Sequence, residues 1–278
     1  MLKLDAAQKK NFDMAKVRRP LGKNRILAPY LDAALENFDD EWEFKYRPKE
    51  QDDAWHPSGD CVPPASALYA KALAFRPEEK RRLSAALTKI FTVGHFWHQL
   101  LQYIVVREGL ADIDAIEQVG MKRWDLDEKI GLELINPEGI PLVIPAELVK
   151  PKPFHWIKGQ GDIAPLITPN WTGLVDIKTM SENHFKLATL PESFALKYIC
   201  QMNIYMELFD LDQSMILAVN KNGSHDFKEI TFVRNQLLID AIFAKWDFVS
   251  ACLQKGIPPT PADDDKFALP TVAELNNS

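Results

Sequence analysis

Two short stretches constrain this chain more than any others. They are Gly159-Gln160-Gly161-Asp162-Ile163-Ala164 and, after a turn, Gly173-Leu174-Val175-Asp176-Ile177-Lys178-Thr179. In the second, Val175 and Ile177 alternate with Asp176 and Lys178, the period of a strand that buries one face. Pro169-Asn170, with Gly173, supplies turn chemistry between the two runs. The pattern predicts a hairpin that brings Asp162 near Asp176, with Lys178 on the same face as Asp176. Two carboxylates and an ammonium on one face are costly for a core to hold. A divalent cation is the usual way to neutralise such carboxylates.

The rest of the chain fits a folded domain around that hairpin. A length of 278 residues is enough for a full core, and an apolar fraction of 46% excludes the disordered class. No apolar run is long enough for a membrane span, and Met1-Leu2-Lys3-Leu4-Asp5 lacks the apolar core of a signal peptide. Cys61, Cys200 and Cys252 are odd in number and far apart, which predicts a reducing compartment and no disulfide frame. The net charge of −6 argues against a broad basic groove. The first 25 residues are nevertheless basic, with Lys9, Lys10, Lys16, Arg18 and Arg19 among them, and read either as a phosphate-touching arm or as a solvated segment.

Read in order, residues 1–60 form an extension with a helix from Ala28 to Phe38. Aromatics such as Trp42, Phe44, Tyr46 and Trp55 are expected to pack on the main domain. Pro57-Ser58-Gly59 and Pro63-Pro64 mark a boundary. Pro77-Glu78-Glu79 opens a helical pattern that runs past Gly94 to Ile104, with His98 one turn after Gly94. Glycine at 94 predicts close approach of another backbone, such as the sheet. Ile130 to Ile135 and Ile140 to Ile144 suggest another hairpin. Beyond the motif strands, Glu192 to Phe209 reads as a helix and Met215 to Val219 as a buried strand. Asn222-Gly223 reads as a turn, Phe227 to Val233 as the partner strand, and Asn235 to Gln254 as a last helix ended by Gly256. Residues 61–256 would thus form the main domain and 257–278, with Asp263-Asp264-Asp265, a solvated tail.

Asp162 followed by Asp176-Ile177-Lys178 resembles the D…(D/E)-x-K signature of the PD-(D/E)XK nuclease superfamily, with Gly161 where the family's proline stands. Gly94-His95-Phe96-Trp97-His98 resembles the G-x-x-x-H element of the RecB-like and phage exonuclease branch. Gln201-Met202-Asn203-Ile204-Tyr205 resembles its Q-x-x-x-Y helix. The resemblance covers roughly residues 78 to 232. It implies an α/β fold with a mixed sheet, a restriction-endonuclease-like αβββαβ core with helices on both faces.

The implied activity is metal-dependent hydrolysis of DNA phosphodiester bonds, most often from ends, in recombination, repair or replication. The alternative is a non-catalytic DNA-binding module on the same fold. The resemblance makes Asp162, Asp176 and Lys178 catalytic. It makes His98, Asp162, Asp176 and the carbonyl of Ile177 ligands of Mg²⁺ or Mn²⁺, and puts Gln201 and Tyr205 beside the site, contacting DNA or buttressing the strand. No iron–sulfur cluster is expected, because three scattered cysteines cannot supply four ligands. The partner is DNA, with no membrane. Recombination or replication proteins and an oligomer stay open, and the setting is the cytoplasm of a bacterial or phage-infected cell.

Acid-x-Lys triplets are common here. Glu43/Lys45, Glu78/Lys80, Asp127/Lys129 and Asp264/Lys266 read as surface charge, and Asp226/Lys228, in a predicted strand, is the closest decoy. Glu147 resembles an extra acid of some relatives, with Glu117 as its rival. Lys186 and Lys197 could touch phosphates, and Trp171 at the hairpin tip could stack on a base. His95, His155 and His184 are read as structural.

Overall fold

The computed structural model describes residues 26–27, 30–31, 34, 54–75, 85–123, 134–135, 141–142, 156–221 and 226–275. The basic arm, Trp42, Phe44, Tyr46, Pro77, Glu147, His155 and the Asn222-Gly223 turn lie outside them. The central element is a mixed sheet. Strand β1 (Ile116–Arg123) precedes a short ribbon of β2 (Leu134–Ile135) and β3 (Pro141–Leu142), which pair antiparallel. Then come β4 (Trp156–Thr168), β5 (Trp171–Met180), β6 (Gln213–Asn220) and β7 (Phe227–Val233). The five long strands run in the order β1-β4-β5-β6-β7. All neighbours are antiparallel except β5 and β6.

The expected hairpin is β4–β5. Thr168 pairs with Trp171, which leaves Pro169 and Asn170 as a two-residue turn. Gly173 is not part of that turn. It lies within β5, and a Cβ there would come within 2.6 Å of both the Gln213 carbonyl oxygen and the Trp171 ring. Trp171 itself is buried in the core, so the expectation that it stacks on a base is corrected.

A parallel pair needs a long crossover, and residues between Met180 and Gln213 supply it. They hold α4 (Glu182–Leu187) and α5 (Leu196–Phe209). The helix predicted from Glu192 therefore starts later. Pro191–Ser193 forms a 3₁₀ turn in which Ser193 Oγ accepts from the Thr189 and Leu190 amides, and Ala195 is still extended. These local bonds compete with helix formation.

The helices α1 (Pro57–Asp60), α2 (Ala65–Ala74) and α3 (Ala85–Arg107) precede the sheet. Alternation along β5 and β6 sorts their side chains between two layers. Val175, Ile177, Met215, Leu217 and Val219 pack with Leu100, Leu101, Ile104 and Val105 of α3. Leu174, Ile216 and Ala218 pack with Met202, Tyr205 and Met206 of α5. Leu27, Leu31 and Ala34 join the α3 layer, and the Leu27 amide donates to Glu229 of β7 at 2.7 Å. The N-terminal extension is thus packed on the core where it is described.

Glycines let α5 lie close to the sheet. A Cβ at Gly159 would stand 2.8 Å from Tyr205 Cε1 and 2.7 Å from Leu208 Cδ1, and one at Gly120 would stand 2.9 Å from Leu208 Cβ. Gly94 of α3 differs from expectation. Its neighbour on β5 is the Thr179 hydroxyl, 3.5 Å from where a Cβ would sit, which is ordinary contact.

The last helix, α6 (Gln236–Lys255), has the predicted ends. The Asn235 side chain accepts from the Leu238 amide at 3.0 Å, and Gly256 takes φ 69. Trp246 stacks on Trp55 with centroids 6.5 Å apart, and buried Lys245 donates to the carbonyls of Cys61 and Pro63. The Pro57-Ser58-Gly59 stretch is helical. Proline opens α1, and Trp55 on its N-terminal side bridges to Ile157 of β4. The tail is also bound. In α7 (Pro261–Lys266), the Asp264 carboxylate accepts from the amide of Ser66 at 2.8 Å and from its hydroxyl at 2.5 Å.

Two glycine substitutions separate these packing states. Gly159→Ala is expected to destabilise by about 1–3 kcal/mol through overpacking against α5. Gly94→Ala is expected to stabilise by about 0.5–1 kcal/mol, because the helix interior accepts the methyl group. Urea unfolding of both variants checks the pair, and a stable Gly159→Ala protein would contradict the close α5 seat.

Candidate active site

The site forms where β4 and β5 part. Their pairing runs from the turn to Ile163↔Val175 and stops. Beyond that point β4 stays paired with β1, and β5 with β6. Continued for one residue, the register sets Asp162 across from Asp176. The Asp162 Oδ2 accepts a hydrogen bond from the Ile177 amide at 2.7 Å. The other oxygen, Oδ1, stands 3.3 Å from Nδ1 of His98 on α3. Lys178 Nζ stands 2.8 Å from Asp176 Oδ2. Asp176 Oδ2 is thus a buried carboxylate oxygen whose neighbour is the ammonium of Lys178.

The four side chains grade from inside to outside. Asp176 is 4% exposed, Asp162 15%, Lys178 24% and His98 27%. Exposure thus rises from the two acids to the ammonium and the imidazole. Burial is the largest influence on each group, and the neighbours decide the direction. For Asp176 burial raises the pKa, and the charge of Asp162 adds to it against the attraction of Lys178. For Asp162 burial also pushes upward. His98, Lys178 and the Ile177 amide outweigh it and hold the carboxyl at about 2. Burial lowers both His98 and Lys178, yet the carboxylates win and each base is held above its usual value. Two acids pushed apart in one pocket are a recurring mark of acid–base or metal chemistry.

Helix α5 closes the site from the other side. Gln201 Nε2 donates to Tyr205 Oη at 2.9 Å. Burial first, and then the nearby Asp176 charge, pushes the Tyr205 phenol well up. Gln201 is 3% exposed and Tyr205 5%, so neither is presented to DNA. The DNA-contact role is corrected, and the buttressing role fits their position. Lys178 Nζ lies 5.7 Å from the Tyr198 ring centre, with exposed Lys197 at 4.8 Å from the same ring.

Other candidates fall elsewhere. Lys228 of the decoy triplet donates to the Phe185 carbonyl at 2.5 Å and is a structural tether. Lys186 pairs with Glu182 at 2.6 Å on the surface. Glu117 lies on β1 at the register position facing Asp162, with φ 49. His184 is exposed and bonded to Ser181. The sequence reading missed Gln102, whose Nε2 donates to the Asp162 carbonyl at 3.0 Å. Its signal was its spacing, one helical turn after His98. It also missed Tyr198, whose ring centre lies 5.7 Å from Lys178 Nζ.

Among the described residues, no three His, Cys, Asp or Glu side chains stand as a ready cage for a metal. Asp162 turns toward His98 and the Ile177 amide, and Asp176 toward Lys178. The donor types nevertheless suit a hard divalent ion: two carboxylates, a strand carbonyl at Ile177 and an imidazole. Asp176 Oδ2 is buried with the Lys178 ammonium as its neighbour, and a hard cation would add a second positive partner to it.

No family model matches the chain, and no curated protein matches it. A solved structure described as "Crystal structure of SSO0001" is similar over 81% of this chain and 87% of its own, at 14% identity and a TM-score of 0.41. A likeness this loose carries no argument about function. No helix among the described residues is long and apolar enough to cross a membrane.

His98 gives a pH test of the cluster. Its folded pKa lies above 6.5, so the folded state binds the proton more tightly than the unfolded chain does. That stabilisation is complete below the ordinary value and is lost as pH rises through the folded one. The stability gap between the wild type and His98→Gln should be larger at about pH 5.5 than at about pH 9 in urea unfolding. Equal gaps would sink the pairing with Asp162.

Proposed function

We propose that this protein is a divalent-metal-dependent DNA nuclease of the PD-(D/E)XK type, hydrolysing phosphodiester bonds, with exonuclease action at DNA ends as its mode. The observation that supports this is the convergence of Asp162, Asp176 and Lys178 at the β4–β5 fork, with His98 reaching in from α3. The element order agrees: a helix, three sheet strands, the α5 crossover, two strands and a helix.

Asp162, Asp176, the Ile177 carbonyl and His98 would hold Mg²⁺ or Mn²⁺. When bound, the ion lowers the pKa of a coordinated water and offsets charge on the phosphate. Lys178 is kept as an ammonium, because Asp176 and Asp162 outweigh the effect of its burial. It therefore serves as a donor, orienting the attacking water and stabilising the charge that develops on phosphate oxygens. A divalent ion on Asp162 and Asp176 would offset the charge that holds this ammonium, so Lys178 would also be placed to help deprotonate that water. Asp176, nearly buried, holds the ammonium in place at 2.8 Å. Exposed Lys197, beside Tyr198, is placed to meet a backbone phosphate at the rim. The net charge of −6 fits local rather than broad contact with DNA.

Linear and circular DNA with Mg²⁺ or Mn²⁺ test the reading. Cleavage of linear DNA, abolished by chelation, is expected. Asp176→Asn and Lys178→Ala should each lower kcat by about 10²–10⁴-fold. Undiminished cutting by either variant rejects the site, and binding without cutting under both ions leaves the non-catalytic module. Mn²⁺ at about 100 times its Kd should raise the unfolding free energy by about 2.7 kcal/mol in the wild type and by less in Asp162→Asn.

A further inference from the structure

Gln102 has no part in the chemistry above, yet it touches one of the two acids. Its side chain is buried on α3, one turn past His98 and on the same face. Its amide nitrogen donates to the main-chain carbonyl of Asp162 across 60 positions of sequence, at 3.0 Å. A buried amide contributes most when its partner would otherwise be poorly held.

Asp162 is such a partner, because the sheet is irregular on both of its sides. Toward β5, pairing stops at Ile163 and carries a register shift between Ile163 and Leu166. Toward β1, Ile116 pairs with Ile163 and Gln118 with Gly161. Between them Glu117 turns to φ 49, an uncommon conformation for a glutamate. A strand residue between two irregular ladders lacks the restraint that regular pairing gives. Helix α3 supplies it at two points: His98 meets the carboxylate, and Gln102 the carbonyl. Leu100, Leu101, Ile104 and Val105 bury the same helix against β5 and β6, so both grips come from a fixed base.

We infer that Gln102 is a positioning residue, which locks the main chain of Asp162 so that its carboxylate is presented across the fork to the Ile177 amide, next to Asp176. The inference rests on the proposed metal site for its functional meaning, but its mechanical part stands apart from any reaction. Gln102→Met keeps the volume and removes the donor. Leu101→Val is the control, since it loosens the same helix without touching Asp162.

Two measurements test it. The first is hydrogen exchange in the metal-free protein, read at the Ile177 amide that Asp162 Oδ2 accepts. Gln102→Met should speed that exchange about tenfold or more while amides of β6 and β7 keep their rates, and Leu101→Val should show no such selective effect. The second is Mn²⁺ titration calorimetry, where Gln102→Met should weaken the Kd by about 10–100-fold. With saturating Mn²⁺, the variant should lose kcat on linear DNA and keep its KM. Unchanged Ile177 exchange overturns the lock, whatever the enzyme does. A wild type that neither binds Mn²⁺ nor cuts DNA overturns the nuclease reading and leaves the exchange result to decide the lock.

Discussion

Two carboxylates set across from each other in neighbouring strands repel, and more strongly as water is withdrawn. The structure around Asp162 and Asp176 follows from keeping them there. The strands part at that point, which removes the pair from a regular ladder. An ammonium stands beside one acid, and an imidazole and a backbone amide beside the other. The compensation is unequal. Asp162 has enough partners to stay ionised far below the usual range, whereas Asp176 is left above it by burial and by its neighbour. A fold that had only stability to serve would place apolar side chains here, as it does at Val175 and Ile177 one step away on the opposite face.

Much of this was legible in the chain. Alternation around Asp176, the Pro169-Asn170 turn and the helix caps at Asn235 and Gly256 are local signals, and local chemistry determines them. The hairpin turn brings Asp162 to within one residue of Asp176, and the register shift between Ile163 and Leu166, which no local signal announced, completes the match. His98 was singled out through its resemblance to a motif, and its Nδ1 stands 3.3 Å from Asp162 Oδ1.

What was not legible depends on distant partners. Nothing near Trp171 in the sequence tells that its ring is covered by core residues, and a tip aromatic reads as exposed until the third dimension is known. Gly173 looked like turn chemistry but answers to a carbonyl forty residues away, at Gln213. Asp263-Asp264-Asp265 looked solvated, yet Asp264 is claimed by Ser66. Gln201 and Tyr205 carried a motif with two roles attached, and only their depth beneath the surface separates the two. Gln102 lacked any motif and became visible through a single bond to a main-chain oxygen.

The strand that carries Asp176 and Lys178 is the third of five, flanked by an antiparallel neighbour on one side and a parallel one on the other. Fraying at either edge of the sheet leaves it paired. The parallel neighbour arrives only after the chain has travelled out through α4 and α5 and back, a loop whose closure is slow relative to hairpin formation. A half-made molecule can therefore own the hairpin and still lack the wall that Tyr198 and Tyr205 provide. The two acids would thus face each other in the hairpin before the final collapse of the domain encloses them.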